Sequence, residues 1–114
     1  MDNCIFCKII SKQIPSEIIL ENENIFAFKD ANPVAPHHIL IVPKKHVAMI
    51  SDYKGEDYNI LPDIFTAANQ IAARLGLDKK GFRIVVNNGA QAGQAVFHVH
   101  FHLIGGRQMT WPPR

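Results

Sequence analysis

Val96-Phe97-His98-Val99-His100-Phe101-His102-Leu103-Ile104 is the stretch that decides the fold, because imidazole and apolar side chains alternate along it. Side chains on a strand point to opposite faces in turn. The alternation therefore predicts one strand from Val96 to Ile104, with His98, His100 and His102 on one face and Val99, Phe101 and Leu103 on the other. The second face needs an apolar core, so partner elements are sought in the remaining apolar runs.

Working backward, Asn87-Asn88-Gly89-Ala90-Gln91-Ala92-Gly93-Gln94 reads as a loop, and Phe82-Arg83-Ile84-Val85-Val86 as the strand before it. Leu61, Ile64, Phe65, Ala68, Ile71, Ala72 and Leu75 recur every three or four residues. That spacing predicts one amphipathic helix of about five turns. Gly76 follows as a C-cap glycine, and Pro62 stands near the start, where a missing N–H does least harm. His38-Ile39-Leu40-Ile41-Val42 reads as a buried strand ended by Pro43, with Pro33 and Pro36 forcing a loop before it. Ile18-Ile19-Leu20 and Ile25-Phe26-Ala27-Phe28 flank a turn-like Glu21-Asn22-Glu23-Asn24 as the arms of a hairpin, and residues 4–11 suit a short helix. The sum is an α+β class: a five-stranded antiparallel sheet with one long and one short helix.

Composition sets the frame. The 114 residues are 47% apolar and 19% charged, with a mean hydropathy near zero, as expected of a single compact domain over 1–114. A chain this short leaves little room for a separate substrate domain, so a second subunit is expected to complete a small-molecule site. Twelve Lys and Arg stand against ten Asp and Glu, and only Lys44-Lys45 and Lys79-Lys80 are adjacent. This is no nucleic-acid footprint. No run reaches the roughly 18 apolar residues of a membrane span, and the N-terminus lacks the pattern of a secretion signal. The expected location is the cytoplasm, with no membrane partner.

All six histidines fall in three places: His37-His38, His46 and the alternating run. A lone strand histidine is ordinarily a packed or solvated residue. Three in register are different, because burying three imidazoles has a desolvation cost that packing does not recover. They stand about 7 Å apart in steps along the face, which suits a metal site, a proton relay or a nucleophile with helpers. The glycine-bearing loop before them is by itself an ordinary connection, yet placed there it becomes a candidate phosphate seat. The only cysteines, Cys4 and Cys7, form one CxxC pair. In a reducing compartment such a pair is a metal half-site or a redox pair rather than a structural disulfide.

Several stretches carry a resemblance: CIFCKII (4–10) with QIP (13–15), FKDANPVAPHHILIVPKKH (28–46), VVNNG (85–89), GQAVFHVHFHLIGG (93–106) and GGRQMTWPP (105–113). Together they resemble the histidine triad (HIT) family, in its nucleotide-binding (HINT) branch. The resemblance covers nearly the whole chain. Its ending in Trp111-Pro112-Pro113 favours the small phosphoramidase branch over the dinucleoside polyphosphate hydrolases and the nucleotidylyltransferases.

What the resemblance implies is a HIT-like fold that pairs into a homodimer with a continuous sheet, and a hydrolase that cleaves the P–N bond of purine nucleoside phosphoramidates. His100 would be the nucleophile, forming a covalent nucleotidyl-histidine, with His102 on the phosphate and His98 and His38 completing the catalytic set. A neutral imidazole suits that role at neutral pH. Asp30 would bind the ribose hydroxyls, and Ile5, Phe6, Ile9 and Phe28 would sandwich the base, although plain core packing explains those four as well. Asn87, Gly93, Gln94 and Ala95 would surround the phosphate, and Trp111 would reach the partner's site.

Two departures stand out. Animal members carry a serine where this chain has Ala95, which removes a hydroxyl donor worth roughly 1.5–3 kcal/mol to a charged group. Cys4, Cys7, His46 and His98 resemble the Cys-Cys-His-His zinc set of many microbial members, a structural Zn²⁺ rather than one needed for the chemistry. Two other classes stay open: a metal-dependent hydrolase or oxygenase on the triad face, and a nucleotide-binding regulatory module. The first is disfavoured because no carboxylate accompanies the histidines within the strand.

Overall fold

The computed structural model describes residues 3–113. Its strands β1 (Ile18–Glu21), β2 (Ile25–Lys29), β3 (His37–Pro43), β4 (Phe82–Val86) and β5 (Phe101–Gly105) form one sheet in the order β1-β2-β3-β5-β4. Every neighbouring pair is antiparallel. Helices α1 (Ile5–Ile10), α2 (Leu61–Arg74) and α3 (Leu77–Lys80) complete the framework. The expected α+β architecture is thus observed.

The alternation within β2 and β3 explains why they are buried on both sides. Ile25, Ala27, Ile39 and Ile41 join Ile64, Ala68 and Ile71 of α2 in one core, together with Val99, Phe101 and Leu103. Phe26, Phe28, Leu40 and Val42 turn the other way and pack on Phe6 and Ile9 of α1. Full burial of each large aliphatic or aromatic side chain contributes roughly 1.5–3 kcal/mol. The sheet therefore separates a purely apolar α2 face from an α1 face on which His38, His100 and His102 also lie.

Two expectations need correcting. α2 has 14 residues, about four turns rather than five. It stops at Arg74 because Gly76 takes φ +75°, the left-handed conformation that ends a helix, and α3 starts directly after it. The strand read from Val96 to Ile104 pairs only from Phe101 to Gly105. β4 reaches no farther than Val86 opposite Phe101, and β3 ends at Pro43, which has no N–H to give. His98 and His100 therefore precede the ladder, yet Val99, Phe101 and Leu103 still enter the α2 core as the alternation implied.

Candidate active site and metal centre

Register assembles the relay. Leu40 pairs with His102 and His38 with Ile104, so His38 and His102 are diagonal neighbours on one face. His38 Nε2 lies 2.9 Å from His102 Nδ1. Asp30, just past β2, donates its N–H to the His38 carbonyl at 2.9 Å, which brings its Oδ2 to 3.3 Å from His38 Nε2. Its Oδ1 accepts the Asn32 N–H at 2.8 Å.

His100 sits one step before β5, 7% exposed, with Phe6 of α1 edge-on to its ring at 5.0 Å between centroids. Its Nδ1 is 2.7 Å from the His98 carbonyl. A carbonyl only accepts, so His100 donates Nδ1–H there and keeps the lone pair on Nε2, the form a nucleophilic imidazole requires. Burial holds His100 below the usual histidine range, against the raising influence of that hydrogen bond and of Asp30. His102 is pushed down to about 4 by burial and by the charges of His100 and His38. His38 is also lowered, by burial, with Asp30 opposing. The cluster is therefore neutral at physiological pH.

A second group lies beside it. Cys4 caps α1, its Sγ accepting the Cys7 N–H at 3.4 Å, while the Val99 N–H to Val47 carbonyl bond at 2.8 Å brings His46 level with His98. His98 is fully buried, its Nε2–H donating to the Pro43 carbonyl at 2.7 Å and its Nδ1 lone pair turned to the sulfurs. That Nδ1 is 3.4 Å from Cys4 Sγ, 3.6 Å from Cys7 Sγ and 3.2 Å from His46 Nδ1, and Cys7 Sγ is 3.4 Å from His46 Nδ1. Bonds of about 2.0–2.3 Å around a tetrahedral Zn²⁺ set ligand atoms about 3.5 Å apart, so the four residues fit that ion. The main-chain acceptor on His98 fixes the ring as a metal ligand requires. Burial and the neighbouring Cys4 raise the Cys7 thiol to about 11. Cys4 and His46 also border an open cavity of about 390 Å³ with Ile5, Ala95 and Phe97.

Asp30, His38 and His102 also bring three ligand atoms within 4.8 Å of one another. The carboxylate missing from the triad strand is thus supplied from the end of β2. However, the Val34 N–H points at His38 Nδ1 from 3.1 Å, so that nitrogen accepts and Nε2 carries the proton. A proton already occupies the position a metal would need.

The remaining predicted residues divide. Phe6, Ile9 and Phe28 are buried in the α1 core, where Phe6 and Phe28 are edge-on at 5.6 Å, and of the three Phe6 stacks on the triad; Ile5 is exposed. Gln94 is buried, its Nε2 donating to the Ala48 and Val96 carbonyls and its Oε1 accepting the Gly89 N–H. A phosphate contact through its side chain would break one of these bonds, so Gln94 shapes the loop. Asn87 directly follows β4, Gly93 takes φ +90° in the turn, and Ala95 is exposed. Trp111 is 83% exposed. Sequence reasoning missed the main-chain acceptors of His98 and Pro43 and the Val34 donor, which carry no side-chain signal.

The pattern of the HIT domain family matches residues 11–109. The chain belongs to the HIT family. This HIT protein is 48% identical over 111 residues to the 14 kDa zinc-binding protein of Brassica juncea, covering 96% of this chain and 97% of that one. It is 47% identical over 111 residues to adenylylsulfatase HINT1 of Arabidopsis thaliana, covering 96% and 75%. A HIT family hydrolase from Legionella pneumophila has the same fold at TM-score 0.95 and 48% identity, covering 98% of this chain and 100% of that one. The resemblance to the HINT branch therefore holds, and among the described residues no helix is long and apolar enough to cross a membrane.

Proposed function

We propose that the protein is a cytoplasmic hydrolase of purine nucleoside phosphoramidates. The observation that carries this reading is the His100 ring, whose Nδ1–H is committed to the His98 carbonyl so that a neutral Nε2 is left to attack. Nε2 forms a bond to the α-phosphorus, the P–N bond breaks, and the nitrogen takes the electron pair and a proton handed over by the neighbouring His102–His38 pair as it departs as an amine. Water then attacks the nucleotidyl-histidine, releasing the nucleoside monophosphate and restoring His100. His102 steadies the phosphate, with His38 behind it. Ile5, Phe6, Ile9 and Phe28 receive the base, Asp30 the ribose, and the Asn87 and Gly93–Ala95 region the phosphate.

Zn²⁺ on Cys4, Cys7, His46 and His98 is a structural cross-link that ties α1 to the approach to β5; no step of the reaction runs through it. β4 is a sheet edge, and Phe65 of α2, beside Phe101, is half exposed. These features support a homodimer that continues the sheet through β4, with Trp111 crossing to the other subunit.

The name of the Arabidopsis relative favours a second leaving group. Attack at the α-phosphorus of an adenylyl sulfate would expel sulfate instead of an amine. The deciding experiment compares adenosine 5′-phosphoramidate, adenylyl sulfate, diadenosine polyphosphate and a nucleotidylyl-transfer pair. Fast cleavage of the phosphoramidate bears the proposal out. Cleavage of another substrate alone reassigns the branch, and binding with no turnover supports the regulatory-module reading.

A further inference from the structure

We propose that the Val34 peptide, pinned by Arg107, is a positioning element of the relay: it fixes the tautomers of His38 and His102 so that His102 presents an N–H to the substrate. The proposal rests on the phosphoramidase reading only for what that N–H meets.

The argument is one of donors and acceptors. Val34 N–H donates to His38 Nδ1 at 3.1 Å, so the proton of neutral His38 is on Nε2. From there it points to His102 Nδ1 at 2.9 Å, with Asp30 Oδ2 farther away at 3.3 Å. His102 Nδ1 must then accept, and its own proton sits on Nε2, the ring nitrogen not engaged by His38. Without the Val34 donor, His38 is free to hold its proton on Nδ1. Nε2 would become an acceptor, His102 would turn its Nδ1–H inward, and a lone pair would face an anionic phosphate. The amide thus acts together with the Asp30 carboxylate, a more distant acceptor for Nε2–H, to decide whether that contact attracts or repels.

The loop is built to hold this amide still. The Val34 carbonyl accepts Arg107 Nε–H at 3.2 Å, from the turn after β5. Pro33 and Pro36 restrict the backbone on either side, and the Asp30 carboxylate closes a turn on the Asn32 N–H. The Val34 side chain is 57% exposed, so the contribution of this residue is its backbone.

Nitrogen-15 NMR of the imidazoles in nucleotide-free protein tests this without turnover. Both His38 and His102 are expected in the Nε2–H form. His38 protonated on Nδ1, or an exchanging mixture, would overturn the proposal. Val34→Pro deletes the donor and should mix the tautomers while lowering kcat about tenfold with KM changed less than about twofold, the size of one lost hydrogen bond. Val34→Ala keeps the amide and should keep wild-type tautomers. Arg107→Ala, which leaves the loop sequence intact, should shift them in the same direction as Val34→Pro, and Arg107→Lys should restore part of the effect. Folded Val34→Pro or Arg107→Ala with unchanged tautomers counts against the assignment. If no phosphoramidate is cleaved, the spectra still decide the tautomers, so the two failures are distinguishable.

Discussion

The main-chain carbonyl of His98 accepts the Nδ1–H of His100 at 2.7 Å, while the His98 ring faces Cys4 and Cys7. One residue therefore links the proposed metal ligands to the proposed nucleophile. Phe6 strengthens the link, because it stands on α1 between the two cysteines in sequence and packs against both imidazoles. Displacing α1 would disturb the acceptor and the wall of His100 together.

Protein purified without added metal should contain close to one zinc per chain. Extracting it with a chelator should lower the thermal midpoint and reduce the unfolding free energy, the latter by about 4 kcal/mol if the ion sat at a thousandfold excess over its dissociation constant. Reduced Cys4 and Cys7 with no bound zinc would remove the metal site from the proposal.

His100→Ala should lower turnover by at least about a thousandfold, the scale seen when a nucleophile is removed, while nucleotide binding persists. The ring is 7% exposed and its one protein hydrogen bond is to a carbonyl, so the fold should tolerate the change. Turnover retained in a folded His100→Ala protein would remove the covalent mechanism.

Stability should fall as pH falls from about 6.5 to about 4. His102 is held at about 4 in the folded chain by burial, then by His100 and His38, with Asp30 opposing, whereas an unfolded histidine titrates near 6.5. Within that window the unfolded chain binds a proton that the folded chain refuses, so stability is full above it and decreases by about 1.4 kcal/mol per pH unit for this residue. His38, lowered by burial as well, adds to the slope. Urea unfolding between pH 7.5 and 4.5 measures it, and His102→Asn should flatten the profile; equal slopes in both proteins would place the titration elsewhere.

Gly105 tests the packing beneath β5. A Cβ at this position would lie 2.8 and 2.9 Å from the two Cδ atoms of Leu77, which is 2% exposed and has little room to move. Gly105→Ala should therefore destabilise by about 1–3 kcal/mol, as overpacking does, with α3 displaced. A neutral change in urea unfolding would show that α3 is only loosely docked.

The periodic features were legible because each side-chain pattern has a single structural solution: the α2 stripe, the two-sided apolar runs of β2 and β3, and the placement of Val99, Phe101 and Leu103 away from the histidines. Where β5 begins was not, since it depends on β4 ending at Val86 and β3 at Pro43, elsewhere in the chain. The site divides in the same way. CxxC and the alternating histidines announce themselves, but the groups that orient them are main-chain atoms of Val34, Pro43 and His98, identical in kind at every position. Gln94 shows the converse, a side chain that suits a phosphate by type and is engaged by its own loop.

Trp111 should govern the choice of leaving group rather than stability. At 83% exposure it contributes little to its own core, and the tail before it is tied by the Arg83 guanidinium to the Thr110 carbonyl at 2.9 Å, a bond that survives removal of residues 111–114. Such a deletion should change unfolding free energy by less than about 0.5 kcal/mol, the usual range for a surface change. If Trp111 reaches the other subunit's site, the ratio of kcat/KM for a bulky aromatic amine to that for ammonia should drop in the shortened protein, because an aromatic contact is lost from one substrate only. Measuring both rates on the same preparation separates this from a general loss of activity. An unchanged ratio would place Trp111 outside the site.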